Sequence, residues 1–169
     1  MTESRWYLPV DLLSASIDVM RPHGALGNEG LALWFGVDEG ERVEISHVVD
    51  VSGPGFQTTP LYMSLSLGAM AALTDLAEQL DVALVGQIHS HPARFLDLSP
   101  VDQRQGIRSP NYLSAVCPYY AQRPVDRFDE CGVHVFEDQR YRRMSGDEMS
   151  RRLVVHNLPV SVIHFEVPA

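Results

Sequence analysis

Two histidines separated by one serine, His89-Ser90-His91, close the apolar run 82–89, and a serine and an aspartate follow in Ser99-Pro100-Val101-Asp102. Side chains alternate faces along a strand, so His89 and His91 point the same way. Two imidazoles on one side of a strand end make half of a metal site. Catalytic zinc usually takes three protein ligands and keeps a fourth position for water or substrate. A third ligand is therefore required nearby, and Asp102 is the leading candidate. Ser99 reads as a helix N-cap, with Pro100 at the first helical position and Asp102 at the third. The seven residues between His91 and Ser99 are enough to return the chain to the strand end. Asp97 is a rival ligand, but it lies on the loop without that anchor.

Bound zinc lowers the pKa of its water from about 15.7 to about 7. Hydrolysis then needs a base that takes the proton and passes it to a leaving amine. A carboxylate that is not itself a ligand suits the role. Glu29 opens the apolar stretch 29–36 and could sit at a sheet end facing the metal. Glu39, Glu41 and Glu44 lie on the following turn and strand and are weaker choices. Ser99 could donate to the developing oxyanion while accepting a capping bond, because a hydroxyl does both.

The elements that must hold these residues follow from pattern. Residues 10–20 carry apolar positions at 10, 13, 17 and 20, a helical spacing that Arg-Pro-His-Gly (21–24) is expected to stop. Residues 29–36 and 42–51 read as a hairpin around a turn at 37–41. Residues 52–60 read as a loop. Residues 61–80, rich in Leu, Ala and Met and free of proline after Pro60, read as a long helix. The continuous apolar run 82–89 predicts a central strand buried on both faces. Further strands are expected at 111–118, 131–138 and 160–167, a short helix near 145–153, and an exposed loop at 119–130. Trp34 and Phe35 are expected in the core, and Phe95 and Leu96 either plug the core or line a substrate groove. The mixed order of elements predicts an α/β sandwich with a mixed sheet.

The whole chain sets outer bounds. Its 169 residues, 45% hydrophobic and 21% charged, suit one soluble domain. No apolar run approaches the roughly 20 residues of a membrane span. The N-terminus lacks a basic region before an apolar stretch, so a cytoplasmic protein without a signal peptide is expected. A net charge of −9 argues against nucleic-acid binding. Cys117 and Cys131 lack metal-site spacing and read as buried reduced thiols, with a disulfide or an extra metal ligand as alternatives. The remaining histidines, His23, His47, His134, His156 and His164, form no second spaced cluster. All 13 basic residues are arginine. Codon preference explains this most simply; a place beside a lysine-targeting conjugation system is the other reading.

Glu29, His89-x-His91 and Ser99-x-x-Asp102 together resemble the signature of the JAMM zinc metalloproteases, also called MPN-plus or Mov34. That family has a glycine three residues after the glutamate and another at seven; Ala32 and Gly36 stand there in this chain. The resemblance implies a cytidine-deaminase-like α/β fold, with a core over about 8–140 and an extension over 141–169 in a single MPN/JAMM domain. It implies zinc held by His89, His91 and Asp102, with Glu29 as general base and Ser99 as oxyanion stabiliser. The activity implied is hydrolysis after the C-terminal tail of a ubiquitin-like modifier, in deconjugation or precursor processing. The partners implied are a ubiquitin-like protein or its conjugates and E1/E2-like enzymes of the same operon. Compact size and the short stretch between Asp102 and Tyr112 resemble prokaryotic forms. Two other classes stand beside this reading. A non-catalytic MPN scaffold usually loses the metal ligands, which are all present here. A zinc deaminase needs His-x-Glu followed by a Cys-x-x-Cys pair, and no Cys-x-x-Cys occurs.

Overall fold

The run 82–89 does become the central strand, and the sheet is built outward from it. The computed structural model describes residues 3–169. In chain order the strands are β1 (Arg5–Pro9), β2 (Leu31–Asp38), β3 (Arg42–Ser52), β4 (Phe56–Thr58), β5 (Met63–Leu65), β6 (Ala83–Ser90), β7 (Leu113–Cys117), β8 (Gly132–Glu137), β9 (Arg140–Arg143), β10 (Leu153–His156) and β11 (Ser161–Glu166). The helices are α1 (Leu12–Ala25), α2 (Leu67–Gln79), α3 (Pro100–Gln105) and α4 (Gly146–Arg152).

The main sheet runs β10-β1-β3-β2-β6-β7-β8-β9, and β11 pairs the edge of β3 beyond β1. β2 is antiparallel to β3 and β6, whereas β6 and β7 are parallel. The sheet is therefore mixed, as expected. Parallel neighbours need a crossover, and the β6–β7 crossover carries α3. The chain beyond residue 140 joins the same sheet, through β10 on β1 and β11 on β3.

Alternation along β2 divides the core into two layers. Leu31, Leu33 and Phe35 pack with Ala69, Leu73 and Ala77 of α2. Ala32 and Trp34 pack with Leu13, Ile17 and Met20 of α1, and with Trp6, Ile88 and Ala115. Trp34 is 1% exposed, and its indole N–H donates to Ser16 Oγ at 2.9 Å, which satisfies its one polar atom. Gly86 gives Trp34 room: a β-carbon there would stand 2.9 Å from the indole.

Three expectations are corrected. α1 does not stop at residues 21–24 but continues to Ala25 with Pro22 inside it. A proline removes the bond to the carbonyl four residues back and crowds that carbonyl, which here belongs to Asp18 on the exposed face. Gly24 acts as a contact point, since a β-carbon there would stand 2.0 Å from the Tyr120 carbonyl oxygen. The long helix expected from residue 61 begins only at Leu67. Ser66 caps it by accepting from Ala69 N–H at 3.0 Å, and β5 pairs with β4, inside the stretch read as loop. The segment 119–130 is not uniformly exposed, because Ala121 and Val125 are buried. No helix among the described residues is long and apolar enough to cross a membrane.

Candidate metal centre

The C-terminal end of β6 carries both imidazoles on the α2 side of the sheet. His89 lies in register with Leu31 of β2 and Val116 of β7 and is fully buried. His91 follows one step beyond the strand; its N–H donates to the Cys117 carbonyl at 2.9 Å. Its Nδ1 lies 3.0 Å from the Phe95 carbonyl oxygen. A carbonyl only accepts, so Nδ1 carries the hydrogen and the Nε2 lone pair is free.

Asp102 reaches this pair through its helix start. Ser99 Oγ accepts from the Asp102 N–H at 3.1 Å, and the Ser99 N–H donates to Asp102 Oδ2 at 2.7 Å. This reciprocal capping box fixes the carboxylate. Asp102 Oδ2 then lies 3.2 Å from His91 Nε2 and 3.4 Å from His89 Nε2, and the two Nε2 atoms are 3.0 Å apart. Ligands about 2.0–2.1 Å from a tetrahedral zinc stand about 3.3 Å apart. The three atoms fit such an ion, and they form the only cluster of metal-binding type among the described residues.

The electrostatics agree with that geometry. Burial holds His89 below its ordinary pKa, which keeps it a neutral donor. Burial also lowers His91, but the hydrogen bond and charge of Asp102, with Glu29 and the Phe95 carbonyl, raise it more. Burial opposes the charge on Asp102, yet the His89 and His91 imidazoles beside it and the Ser99 N–H hold its carboxyl far below the usual range.

Glu29 lies just before β2 and is 2% exposed. Its backbone is pinned on one side: its N–H donates to the Thr59 carbonyl at 3.0 Å, and the Thr58 hydroxyl donates to its carbonyl. Its Oε2 is buried with no hydrogen-bond partner. Burial pushes the carboxyl up to about 7, with a smaller downward pull from His91 and a smaller upward push from Asp102. A carboxylate near pH 7 with a free oxygen is suited to moving a proton.

The other candidates lie elsewhere. Asp97 Oδ1 pairs with Arg143 Nη1 at 2.8 Å and lies 4.0 Å from His134 Nε2. Glu44 pairs with Arg42, and Glu39 and Glu41 stand on the exposed turn at the far end of β2. Cys117 and Cys131 are buried free thiols outside the cluster, as are the remaining histidines. Phe95 is 68% exposed, so it is no core plug, although its carbonyl orients His91.

Two features escaped the sequence reading. A cleft of about 390 Å³ runs to Asp102, lined by Leu31, Leu33, Met63, Leu65, Gln87 and Ile107 among others. The turn Tyr119–Ala121 has three consecutive left-handed residues, with φ of 54°, 53° and 58°, a costly conformation. It clamps the loop after His91 through Tyr120 N–H to the His91 carbonyl at 2.8 Å and Tyr119 N–H to the Ala93 carbonyl at 3.0 Å. Runs of apolar residues at 61–65 and aromatics at 119–120 were the available signals.

A mixed sheet here gathers an upstream glutamate, a His-x-His pair and a capped aspartate, the residues in which the chain resembles the JAMM/MPN signature. Over 120 residues the chain is 28% identical to a probable metalloprotease of Sinorhizobium fredii, covering 70% of this chain and 74% of that protein. The solution structure of a Desulfitobacterium hafniense protein matches at a TM-score of 0.61 and 18% identity, over 91% of this chain and 94% of that one. A JAB1/MPN domain protein from Archaeoglobus fulgidus aligns at a TM-score of 0.47 and 12% identity, over 92% and 99% of the two chains. No protein-family model matches the sequence.

Proposed function

We propose that this protein is a zinc-dependent JAMM-type peptidase of the cytoplasm. It hydrolyses the bond after the C-terminal tail of a ubiquitin-like modifier, either from a conjugate or from a precursor. The likeness to a probable metalloprotease supports a metal-using hydrolase. The observation that carries the reading is Glu29 Oε2, buried and unpartnered, on a carboxyl that feels both His91 and Asp102.

His89, His91 and Asp102 would hold the ion, which when bound polarises the scissile carbonyl and acidifies water. Glu29 takes the proton from the attacking water as its oxygen bonds to the carbonyl carbon. The Ser99 hydroxyl donates to the carbonyl oxygen as negative charge gathers there. Glu29 then returns the proton to the leaving amine as the carbon–nitrogen bond breaks. The apolar cleft ending at Asp102 suits an extended tail. β5 pairs only with β4 among the described residues, so its other edge is available to a peptide backbone. E1/E2-like enzymes of the same operon would make the conjugates.

The test is metal analysis together with cleavage of linear fusions of ubiquitin-like modifiers to a reporter protein. The expected result is one zinc per chain and cleavage at the modifier's C-terminus. Glu29→Gln should keep the zinc and lose activity by about 10²–10⁴-fold, the usual worth of a general base. A zinc-free protein, or a Glu29→Gln variant that cleaves at the native rate, overturns the proposal.

A further inference from the structure

Ser90 sits between the two imidazoles but faces the other way. The pleat that turns His89 and His91 toward the cleft turns Ser90 toward α1, where it is fully buried. The β2–β6 ladder pairs Leu31 with His89 and continues one step to Gly30 and Ser90. At this step the Ser90 N–H donates to the Gly30 carbonyl at 3.1 Å, as in an ordinary antiparallel rung. The return bond is different: the Gly30 N–H donates to Ser90 Oγ at 2.8 Å.

Gly30 is the residue after Glu29. It cannot carry a side chain, since a β-carbon would stand 2.7 Å from Met20 Cα. The segment therefore has Thr58 and Thr59 bonded to Glu29 on one side, and Ser90 bonded to Gly30 on the other. Remove the Ser90 hydroxyl and a buried amide loses its acceptor, which the local backbone must move to recover.

We propose that Ser90 is a positioning residue: its hydroxyl, by holding the Gly30 amide, fixes the Glu29 carboxylate against the strand end that carries His89 and His91. This rests on the peptidase reading for its catalytic consequence, but not for its structural one. One side chain thus ties together two parts of the site that are 60 residues apart in sequence. The residue between the histidines couples the glutamate to the metal-binding strand.

The test uses Ser90→Ala and Ser90→Thr in the full chain, with modifier–reporter fusion as substrate. In Ser90→Ala the zinc content and KM should stay native. The kcat should fall by about 10-fold to 100-fold, as ångström-scale misplacement of a reacting group does. Ser90→Thr should restore it. In a Glu29→Gln background Ser90→Ala should cause no further loss, because the residue it positions is gone. Amide hydrogen exchange supplies a readout free of catalysis. The Gly30 amide should exchange slowly in the wild type, at least 10-fold faster in Ser90→Ala, and slowly again in Ser90→Thr.

Should Ser90→Ala fail to fold, the isosteric pair Ser90→Thr and Ser90→Val replaces it, with activity and slow exchange expected only in the former. A native kcat in Ser90→Ala, an additive loss in the Glu29→Gln background, or fast Gly30 exchange in the wild type overturns the proposal. A wild type that cleaves no fusion would instead overturn the peptidase reading, leaving the exchange result to decide on Ser90.

Discussion

Arg143 holds Asp97 away from the imidazole pair, with its Nη1 2.8 Å from Asp97 Oδ1. Two aspartates five residues apart thus serve different partners, because Asp102 alone is anchored by the helix start. Asp97→Ala should keep native zinc stoichiometry and change stability by less than about 1 kcal/mol, since the pair is exposed. Asp102→Ala should lose zinc. Metal analysis of the two purified variants checks both outcomes, and loss of zinc in Asp97→Ala would return Asp97 to the ligand set.

Metal binding to a site that exists only in the folded chain contributes to folding. A strong chelator should therefore lower the wild-type melting temperature, and added zinc should restore it. His91→Ala should melt lower than the wild type and respond to neither treatment. Thermal scans with and without chelator check this; an equal chelator effect on both proteins would place the metal elsewhere.

Ser99 has two separable duties. Its hydroxyl caps α3 through the Asp102 N–H, and Ser99→Ala should cost about 1 kcal/mol for that cap. In a domain of this size this is roughly 2–4 °C in melting temperature. If the hydroxyl also donates to the substrate oxygen, kcat should fall by about 10²-fold with KM nearly unchanged. Steady-state kinetics beside thermal scans separate the duties, and a destabilised variant with native kcat would leave the cap alone.

Acid should unfold the protein partly through the Arg142–Glu148–Arg152–Glu137 network. Arg142 Nη2 lies 2.7 Å from Glu148 Oε1, and Arg152 Nη2 lies 2.6 Å from Glu137 Oε1. The hydrogen bond from Arg142, helped by Arg152, holds the Glu148 carboxyl down to about 2. An unfolded glutamate titrates near 4.3. The folded state thus favours the ionised form, so the contribution is complete above about pH 4.3 and is lost as pH falls toward 2. Glu148→Gln should melt lower at pH 7 and show a flatter decline between pH 5 and pH 2. Parallel pH-dependent melting curves check it; equally steep declines would contradict it.

The sequence by itself determined the parts of the site whose geometry is local. Strand alternation fixes His89 and His91 on one face, and Ser-Pro-x-Asp fixes a capped helix start with its carboxylate turned back. Both are set by bonds between residues at most a few positions apart, so spacing was enough to read them. Likewise, the alternation of β2 and the apolar run of β6 reported the central sheet.

Tertiary structure decided what depends on partners far along the chain. Glu29 is a carboxyl raised by burial, in a segment whose backbone bonds to Thr58, Thr59 and Ser90. Asp97 pairs with Arg143, 46 residues away, and lies outside the cluster of His89, His91 and Asp102. α1 runs through Pro22 because the Tyr120 turn packs on Gly24. Residues 61–65 leave the helix they favour by propensity because Met63–Leu65 pair with β4 as a strand and line the cleft. In each case a long-range contact outweighs a local preference, about 3 kcal/mol for a proline within a helix and roughly 1 kcal/mol or less for most other residues, and such contacts have no signature in spacing.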